Sequence, residues 1–230
     1  MLAIIPARGG SKGIHKKNIK EFYGKPLIFW TIEAAIRASN IDRIILSTDD
    51  DEIAELCSHY KEVEIPFMRP KELATDSSIA IDTYIYTIEN LTQKQTSNNS
   101  NFIVLLPTSP LRSPEDIDKA VDIFRSHNAD SVIACKGLGF PDSWILDIDS
   151  NGKIDNKNES KKLINRQEEK EIYIPNGSIY ILNYEKIKEQ RTYYFDNSYA
   201  YIMPSHRSVD IDTDEDFYYA EYLKRKFNDR

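Results

Sequence analysis

Ala3-Ile4-Ile5-Pro6-Ala7-Arg8-Gly9-Gly10-Ser11-Lys12-Gly13, with residues 27–39 (LIFWTIEAAIRAS) and 43–48 (RIILST) behind it, is the stretch that decides the fold. Ala3-Ile4-Ile5 reads as a buried strand and 43–48 as a second. Between them Ile28, Ile32, Ala35 and Ile36 recur near helical spacing. That is a βαβ unit, and the pattern continues outward from it. Helices are expected over 52–60 and 79–91, and a continuous apolar strand over 102–106 (FIVLL), as buried parallel strands read. Ser113-Pro114-Glu115-Asp116 supplies an N-cap, a proline at the first helical position and acids in the first turn, predicting a helix to about 127. Strands follow at 131–135, 179–182 and 201–203, and a closing helix at 214–227 whose buried residues are Phe217, Ala220 and Leu223. Alternating β and α elements with short connections predict a doubly wound, mostly parallel α/β sheet in one domain over 1–230. Residues 147–171 are polar and charged and read as an excursion from the core, and 92–101 (TQKQTSNNSN) as a solvated loop.

Composition narrows the function classes. The chain has 230 residues, 40% of them hydrophobic, enough to bury a full core without disulfides or a structural metal. Cys57 and Cys135 form no C-x-x-C and no framework, which fits a reducing compartment, and the protein is expected to be cytoplasmic. No apolar run approaches a membrane span, so no membrane partner is expected. A net charge of −7 argues against a nucleic-acid binder. The distribution says more: residues 1–25 carry six bases against Glu21, a net of +5, which leaves −12 for the remainder. At the other end Asp210, Asp212, Asp214, Glu215 and Asp216 fall within seven residues. A basic site and an acidic site together suit a polyanion carried with a divalent cation.

Ligands on such sheets sit beyond the carboxyl ends of the strands, so the loop after the first strand is the first place to look. Gly9, Gly10 and Gly13 let backbone N–H groups approach a phosphate, while Arg8, Lys12 and Lys17 bring full charges to it. This is a polyphosphate cradle, or else a flexible Gly/Lys surface loop. It matches neither G-x-x-x-x-G-K-[ST] nor G-x-G-x-x-G. In Ser208-Val209-Asp210-Ile211-Asp212-Thr213, the alternation points Asp210 and Asp212 the same way on an extended backbone, where two carboxylates can hold Mg²⁺. The plainer reading has Asp212 or Thr213 capping the last helix, with Asp214, Glu215 and Asp216 complementing its dipole. The four histidines show no metal-ligand spacing, no G-x-S-x-G nucleophile is present, and Ser109 reads as a turn residue or hydrogen-bond donor.

Seven segments taken together resemble the acylneuraminate cytidylyltransferases, the CMP-sialic acid synthetase family, in order and spacing. They are I-P-A-R-G-G-S-K-G-x-x-x-K-N at 5–18, S-T-D-D at 47–50, R-P-x-E-L-A-T-D at 69–76, P-T-S-P-L-R at 107–112, R-Q at 166–167, N-G-S-I-Y at 176–180 and S-V-D-I-D-T at 208–213. The resemblance implies a Rossmann-like nucleotidyltransferase that joins CTP to a nine-carbon 2-keto sugar acid and releases pyrophosphate, with Mg²⁺, as a homodimer. It implies that Arg8, Gly10, Ser11, Lys12 and Lys17 hold the triphosphate, that Asn18 and Arg69 help to read the nucleoside, and that Asp210 and Asp212 bind the metal. Thr108, Ser109, Arg166, Gln167, Tyr180, Tyr193 and Tyr194 would line the sugar side, and about 138–175 would be a dimerisation arm that lends side chains to the neighbouring subunit.

The chain departs from the sialic acid pattern at three places on the sugar side. Leu106 stands where that pattern has Gln, Ile174 where it has Arg, and Ser143 where it has Lys. Each change removes a polar or cationic contact, and a less polar relative such as legionaminic acid would suit an apolar Leu106 better. Two rival readings are a CMP-Kdo-type synthetase for an eight-carbon sugar acid and a non-catalytic CTP-binding regulatory protein.

Overall fold

The computed structural model describes residues 1–92, 101–141, 144–155 and 171–228. In chain order the elements are β1 (Leu2–Pro6), β2 (Glu21–Phe22), β3 (Lys25–Pro26), α1 (Leu27–Arg37), β4 (Arg43–Ser47), α2 (Asp51–Cys57), β5 (Val63–Glu64), α3 (Ala80–Thr92), β6 (Asn101–Leu105) and α4 (Pro114–Ser126). They continue with β7 (Ser131–Gly137), β8 (Asp147–Ile148), β9 (Ile154–Asp155), β10 (Tyr173–Asn183), α5 (Tyr184–Gln190), β11 (Ser198–Ile202) and α6 (Asp214–Asn228).

Seven strands form one sheet in the order β11-β7-β10-β6-β1-β4-β5. Only β10 runs against its neighbours; β1 pairs in parallel with both β4 and β6, and β11 with β7. The two-residue alternation of β1 explains why both faces are covered. Ala3 and Ile5 point into a core shared with α1, α2 and α4 through Ile28, Ile53 and Ile117. Leu2 and Ile4 point into a second core with α3 and α5, through Ile85 and Ile187. A third cluster docks α6 by Phe217, Ala220 and Leu223, the three residues its pattern singled out, against Phe22, Leu27 and Ile211. α4 begins with the expected device: the Ser113 side chain accepts from the Asp116 amide, and Asp116 accepts in return from the Ser113 amide.

Several elements differ from the sequence reading: the short strands β2, β3 and β5 add to it, and β11 begins three residues before the expected 201–203. The strand expected over 179–182 is the far half of an eleven-residue strand, interrupted by a bulge at Pro175-Asn176-Gly177 inside β10. The register shifts between Pro175 and Tyr180, with Gly177 at φ +74°. The helix α5 was not foreseen; it is capped by Asn183, whose side chain accepts from the Lys186 amide, and it buries only Ile187. Of the polar excursion, the described part forms the β8–β9 hairpin, a two-stranded sheet of its own. Most of the 92–101 loop lies outside the described residues. Among the described residues no helix is long and apolar enough to cross a membrane.

Candidate active site

β1 lies between β4 and β6, so the chain leaves its carboxyl end in one direction and returns to β6 on the other side. A crevice opens where such paths diverge. Here it is a cavity of about 600 Å³. It is walled by the loop after β1, the loop after β6 and a segment running into α3. It brings together Arg8, Ser11, Lys12, Lys17, Asn18, Arg69, Thr108 and Asp212, which the sequence places far apart.

The loop after β1 is held from behind. The Asn18 side-chain amide donates to the Arg8 carbonyl at 2.9 Å, and the Gly9 amide donates to Asp49 Oδ1 at 3.2 Å. The same Asp49 oxygen accepts from the buried Arg69 guanidinium at 3.0 Å, which ties the β4 loop to the cavity wall. Glycine is required at two positions by close approach: a Cβ on Gly9 would sit 2.2 Å from Asp50 Oδ2, and one on Gly13 would sit 2.1 Å from the Asp212 carbonyl.

Each of the three cradle cations has an anionic partner. Arg8 pairs with Asp76 at 3.0 Å and donates to the Thr75 carbonyl at 3.1 Å. Lys12 reaches the other Asp76 oxygen at 3.2 Å. The Lys12 ammonium, with Arg8 adding to it, holds the Asp76 carboxyl below the usual carboxylate range despite a small opposing effect of desolvation. Lys17, nearly buried, donates to the Ile211 carbonyl at 2.6 Å and to Asp212 Oδ1 at 2.9 Å. Basic loop and acidic segment are thus joined directly.

The acidic segment is positioned by backbone contacts. The Ile211 amide donates to the Thr108 carbonyl at 2.9 Å, fastening the segment to the loop after β6. Asn176 in the β10 bulge donates to Ser208 Oγ at 2.9 Å. Gly177 lies directly against Asp210: a Cβ there would be 2.3 Å from Oδ2. Asp210 is half-buried and its Oδ1 has no hydrogen-bond partner among the described residues. Burial first, and then the like charge of Asp212, push its carboxyl above the ordinary range, against the Thr108 side chain and the more distant Lys17 and Lys136. An orphaned, destabilised carboxylate beside an exposed second one fits a divalent cation, which would relieve both effects. No group of three or more potential protein ligands occurs among the described residues, so a cation here would complete its shell with water and substrate oxygens. The capping reading also holds: Thr213 and Asp216 form a reciprocal box at the start of α6.

The remaining predicted residues sit elsewhere or beyond view. Gly10 is exposed and open to solvent on its Cα side. Ser109 is fully buried in a turn, its Oγ without a partner among the described residues. The Tyr180 and Tyr193 rings meet at 5.2 Å, tilted 41° to each other, against the second core, where burial pushes the Tyr180 phenol up to about 12. Tyr194 is exposed. Arg166, Gln167 and Ser143 lie outside the described residues. Leu106, one of the three departures, lines the cavity, and Ile174 sits in β10 opposite Lys136. Sequence reasoning missed Asp76, Thr75, Ser78, Thr83 and Tyr84, which form the wall leading into α3; the R-P-x-E-L-A-T-D run was the available signal. It also missed Asp49 as the anchor of Arg69.

Residues 2–227 match the profile of the family described as Cytidylyltransferase. The chain belongs to the cytidylyltransferase family. This cytidylyltransferase is 37% identical to the CMP-N,N'-diacetyllegionaminic acid synthase of Legionella pneumophila over 97% of its own length and 95% of the relative's. It is 30% identical to the pseudaminic acid cytidylyltransferase of Campylobacter jejuni over 96% of the chain and 95% of that protein. Its match to the N-acylneuraminate cytidylyltransferase of Streptococcus agalactiae is 33% identical over 94% of the chain but spans only 51% of that longer protein. A solved structure of a CMP:2-keto-3-deoxy-manno-octonic acid synthetase complexed with CTP superposes at a TM-score of 0.65, with 14% identity and 98% of each chain covered. A 4-diphosphocytidyl-2C-methyl-D-erythritol synthase of Anaerococcus prevotii does so at 0.65, with 16% identity, covering 97% of this chain and 95% of that one. These two likenesses establish the fold alone: a Rossmann-like, mostly parallel α/β sheet.

Proposed function

We propose that this cytidylyltransferase transfers CMP from CTP to the anomeric hydroxyl of a nine-carbon 2-keto sugar acid of the sialic or legionaminic type, releasing pyrophosphate. The observation that carries the reading is the cavity itself, in which Arg8, Lys12 and Lys17 converge with Asp212 beyond the carboxyl ends of β1 and β6. In-line attack on the α-phosphorus demands screening of the anionic groups and stabilisation of charge on the departing pyrophosphate. Arg8, Ser11 and Lys12, which line the cavity, would hold the β- and γ-phosphates. Lys17 is held between the cradle and the acidic segment, so it would follow charge as it moves from the α-phosphate to the leaving group. Asn18, whose side chain bears on the Arg8 carbonyl, and Arg69, locked by Asp49, would set the nucleoside end. Asp210 and Asp212 would hold Mg²⁺, which when bound neutralises phosphate charge and lowers the pKa of a coordinated hydroxyl. Thr108, pinned by Ile211, would orient the sugar beside Leu106.

Leu106 favours the legionaminic type within this class, because an apolar wall rewards a deoxygenated sugar terminus and offers no partner to a polar one. The 138–175 arm would form a homodimer and carry Arg166 and Gln167 to the neighbouring site. Buried thiols at Cys57 and Cys135, the former pushed up to about 12 by burial, suit a protein kept in the cytoplasm. The decisive experiment is Mg²⁺-dependent pyrophosphate release from CTP with N-acetylneuraminic, legionaminic, pseudaminic and Kdo acids at equal concentration. Release with legionaminic acid well above the others is expected. Preference for Kdo would replace the sugar class, and CTP binding without release from any of the four would favour an untested sugar acid first and the regulatory reading second.

A further inference from the structure

A second cavity, of about 580 Å³, lies apart from the first. Its walls come from α1 (Trp30, Arg37), the loop entering α4 (Pro110 to Glu115), the turn at His206 and Arg207, and the last turns of α6 (Leu223, Lys224, Phe227). Four cations, Arg37, Arg112, Arg207 and Lys224, face Glu115 as the sole carboxylate of the lining. Arg207 is spoken for by Asp116, at 2.8 Å behind the wall. The other three cations lack an acidic hydrogen-bond partner among the described residues.

Lys224 is the most telling of them. Its ammonium lies 3.8 Å from the centroid of the Trp30 ring and makes no ion pair among the described residues, while Lys25 sits 3.6 Å from the same centroid. Burial, then the like charges of Lys25 and Arg37, bring its pKa down to about 8, against a weaker pull from Glu33. A cation kept in such surroundings is destabilised until an anion joins it. Arg112 is committed to the interior: it is 4% exposed and its guanidinium donates to the Ser178 and Leu106 carbonyls and to Thr31 Oγ1 at 2.8 Å, which leaves Lys224 and Arg37 as the cations available to a ligand. Two cations open to a ligand, in a space larger than any single water requires, match a compact dianion rather than a neutral metabolite.

We infer that this cavity is a binding site for a small phosphate-class dianion, held by Lys224 and Arg37 and distinct from the polyphosphate cradle. Both cavities draw on one loop: Pro107 and Thr108 line the first, Pro110, Leu111 and Arg112 the second. α6 likewise spans them, from Asp212 just before its start to Lys224 and Phe227 near its end. Occupancy of the second site therefore bears on the loop that borders the first.

The test uses the full chain with its lysines reductively ¹³C-methylated and the Lys224 resonance assigned from Lys224→Arg. Inorganic phosphate is the probe, titrated at constant ionic strength against chloride. The expected result is a saturable shift of the Lys224 resonance, with its titration midpoint raised by roughly one pH unit, and weakening by roughly tenfold in Arg37→Gln, the size of one charge-assisted hydrogen bond. The shift should persist in Lys12→Ala. A shift that chloride reproduces, no saturable shift at all, or one lost in Lys12→Ala would overturn the assignment, the last by placing the anion in the first cavity.

Discussion

Asp76 sets how the cradle meets its ligand. Its two oxygens occupy Arg8 and Lys12, so a polyphosphate binding in the proposed way would exchange one anion for another rather than fill bare charge. Both pairs are largely exposed and screened by solvent, so each contributes little and gives way readily to a stronger anion. Asp76→Asn is therefore expected to tighten CTP roughly three- to tenfold and to steepen the salt dependence of binding, measured calorimetrically. Weaker binding would instead make Asp76 a contributor to ligand contacts. Lys12→Ala should weaken CTP more than the sugar acid. Gly177 is the other decisive residue. Alanine there must adopt φ near +74° and drive the Asp210 carboxylate aside. The backbone cost is about 1 kcal/mol. The displacement of a carboxylate by an ångström should cost turnover on the order of a hundredfold. Activity should thus fall far more than the melting temperature does, and Asp210→Asn should match that loss of turnover.

At the scale of elements, α4 and the turn before the acidic segment are joined through one buried carboxylate. Asp116 accepts from Arg207 at 2.8 and 2.9 Å and from the Tyr201 hydroxyl at 2.7 Å while closing the helix cap. Burial alone would raise its pKa; Arg207, the Ser113 amide and Tyr201 outweigh that and hold it below the ordinary range. A depressed folded-state pKa gives stability that is present above the unfolded value near 4 and lost as pH falls through the folded one. Asp116→Asn should cost roughly 2–3 kcal/mol at neutral pH, discounted because Arg207 is partly exposed, and should flatten the acid limb of denaturant-melt stability. An unchanged acid limb would mean that other carboxylates govern it. The Ser113-Pro114-Glu115-Asp116 cap was legible in the sequence because capping is local chemistry, as were β1 and the core face of α6, where periodicity alone selects the buried residues. The β10 bulge was not, since a Pro-Asn-Gly turn and a Pro-Asn-Gly bulge have the same local preferences and only pairing with β6 and β7 separates them. Arg8, Lys12 and Lys17 were legible as a charged loop; Asp49 and Asp76 were not, because a partner in space leaves no mark at a fixed spacing.

At the scale of the whole molecule, the described part of the arm is unlike the rest of the surface. Phe140, Trp144, Ile145, Leu146, Ile148 and Ile154 are all exposed along some fifteen residues, whereas the sheet cores are closed. Isolated apolar side chains need no explanation, but a run of this kind leading into and along the β8–β9 hairpin is what the proposed homodimer would cover. If the proposed homodimer forms through this face, Trp144→Ser with Leu146→Ser should shift the protein from dimer to monomer in light scattering, with little change in the melting of the sheet domain; a wild type that is already monomeric would overturn the arm's proposed role. The proposed loan of Arg166 to the neighbouring site has a sharper test. A subunit with Arg166→Ala keeps its cradle, and one with Lys12→Ala keeps its arm. If the arm acts across the interface, a mixed dimer holds one site with both intact, and random exchange should restore about a quarter of wild-type activity from two inactive proteins. If the arm serves its own subunit, every site in the mixture carries one defect and no activity returns.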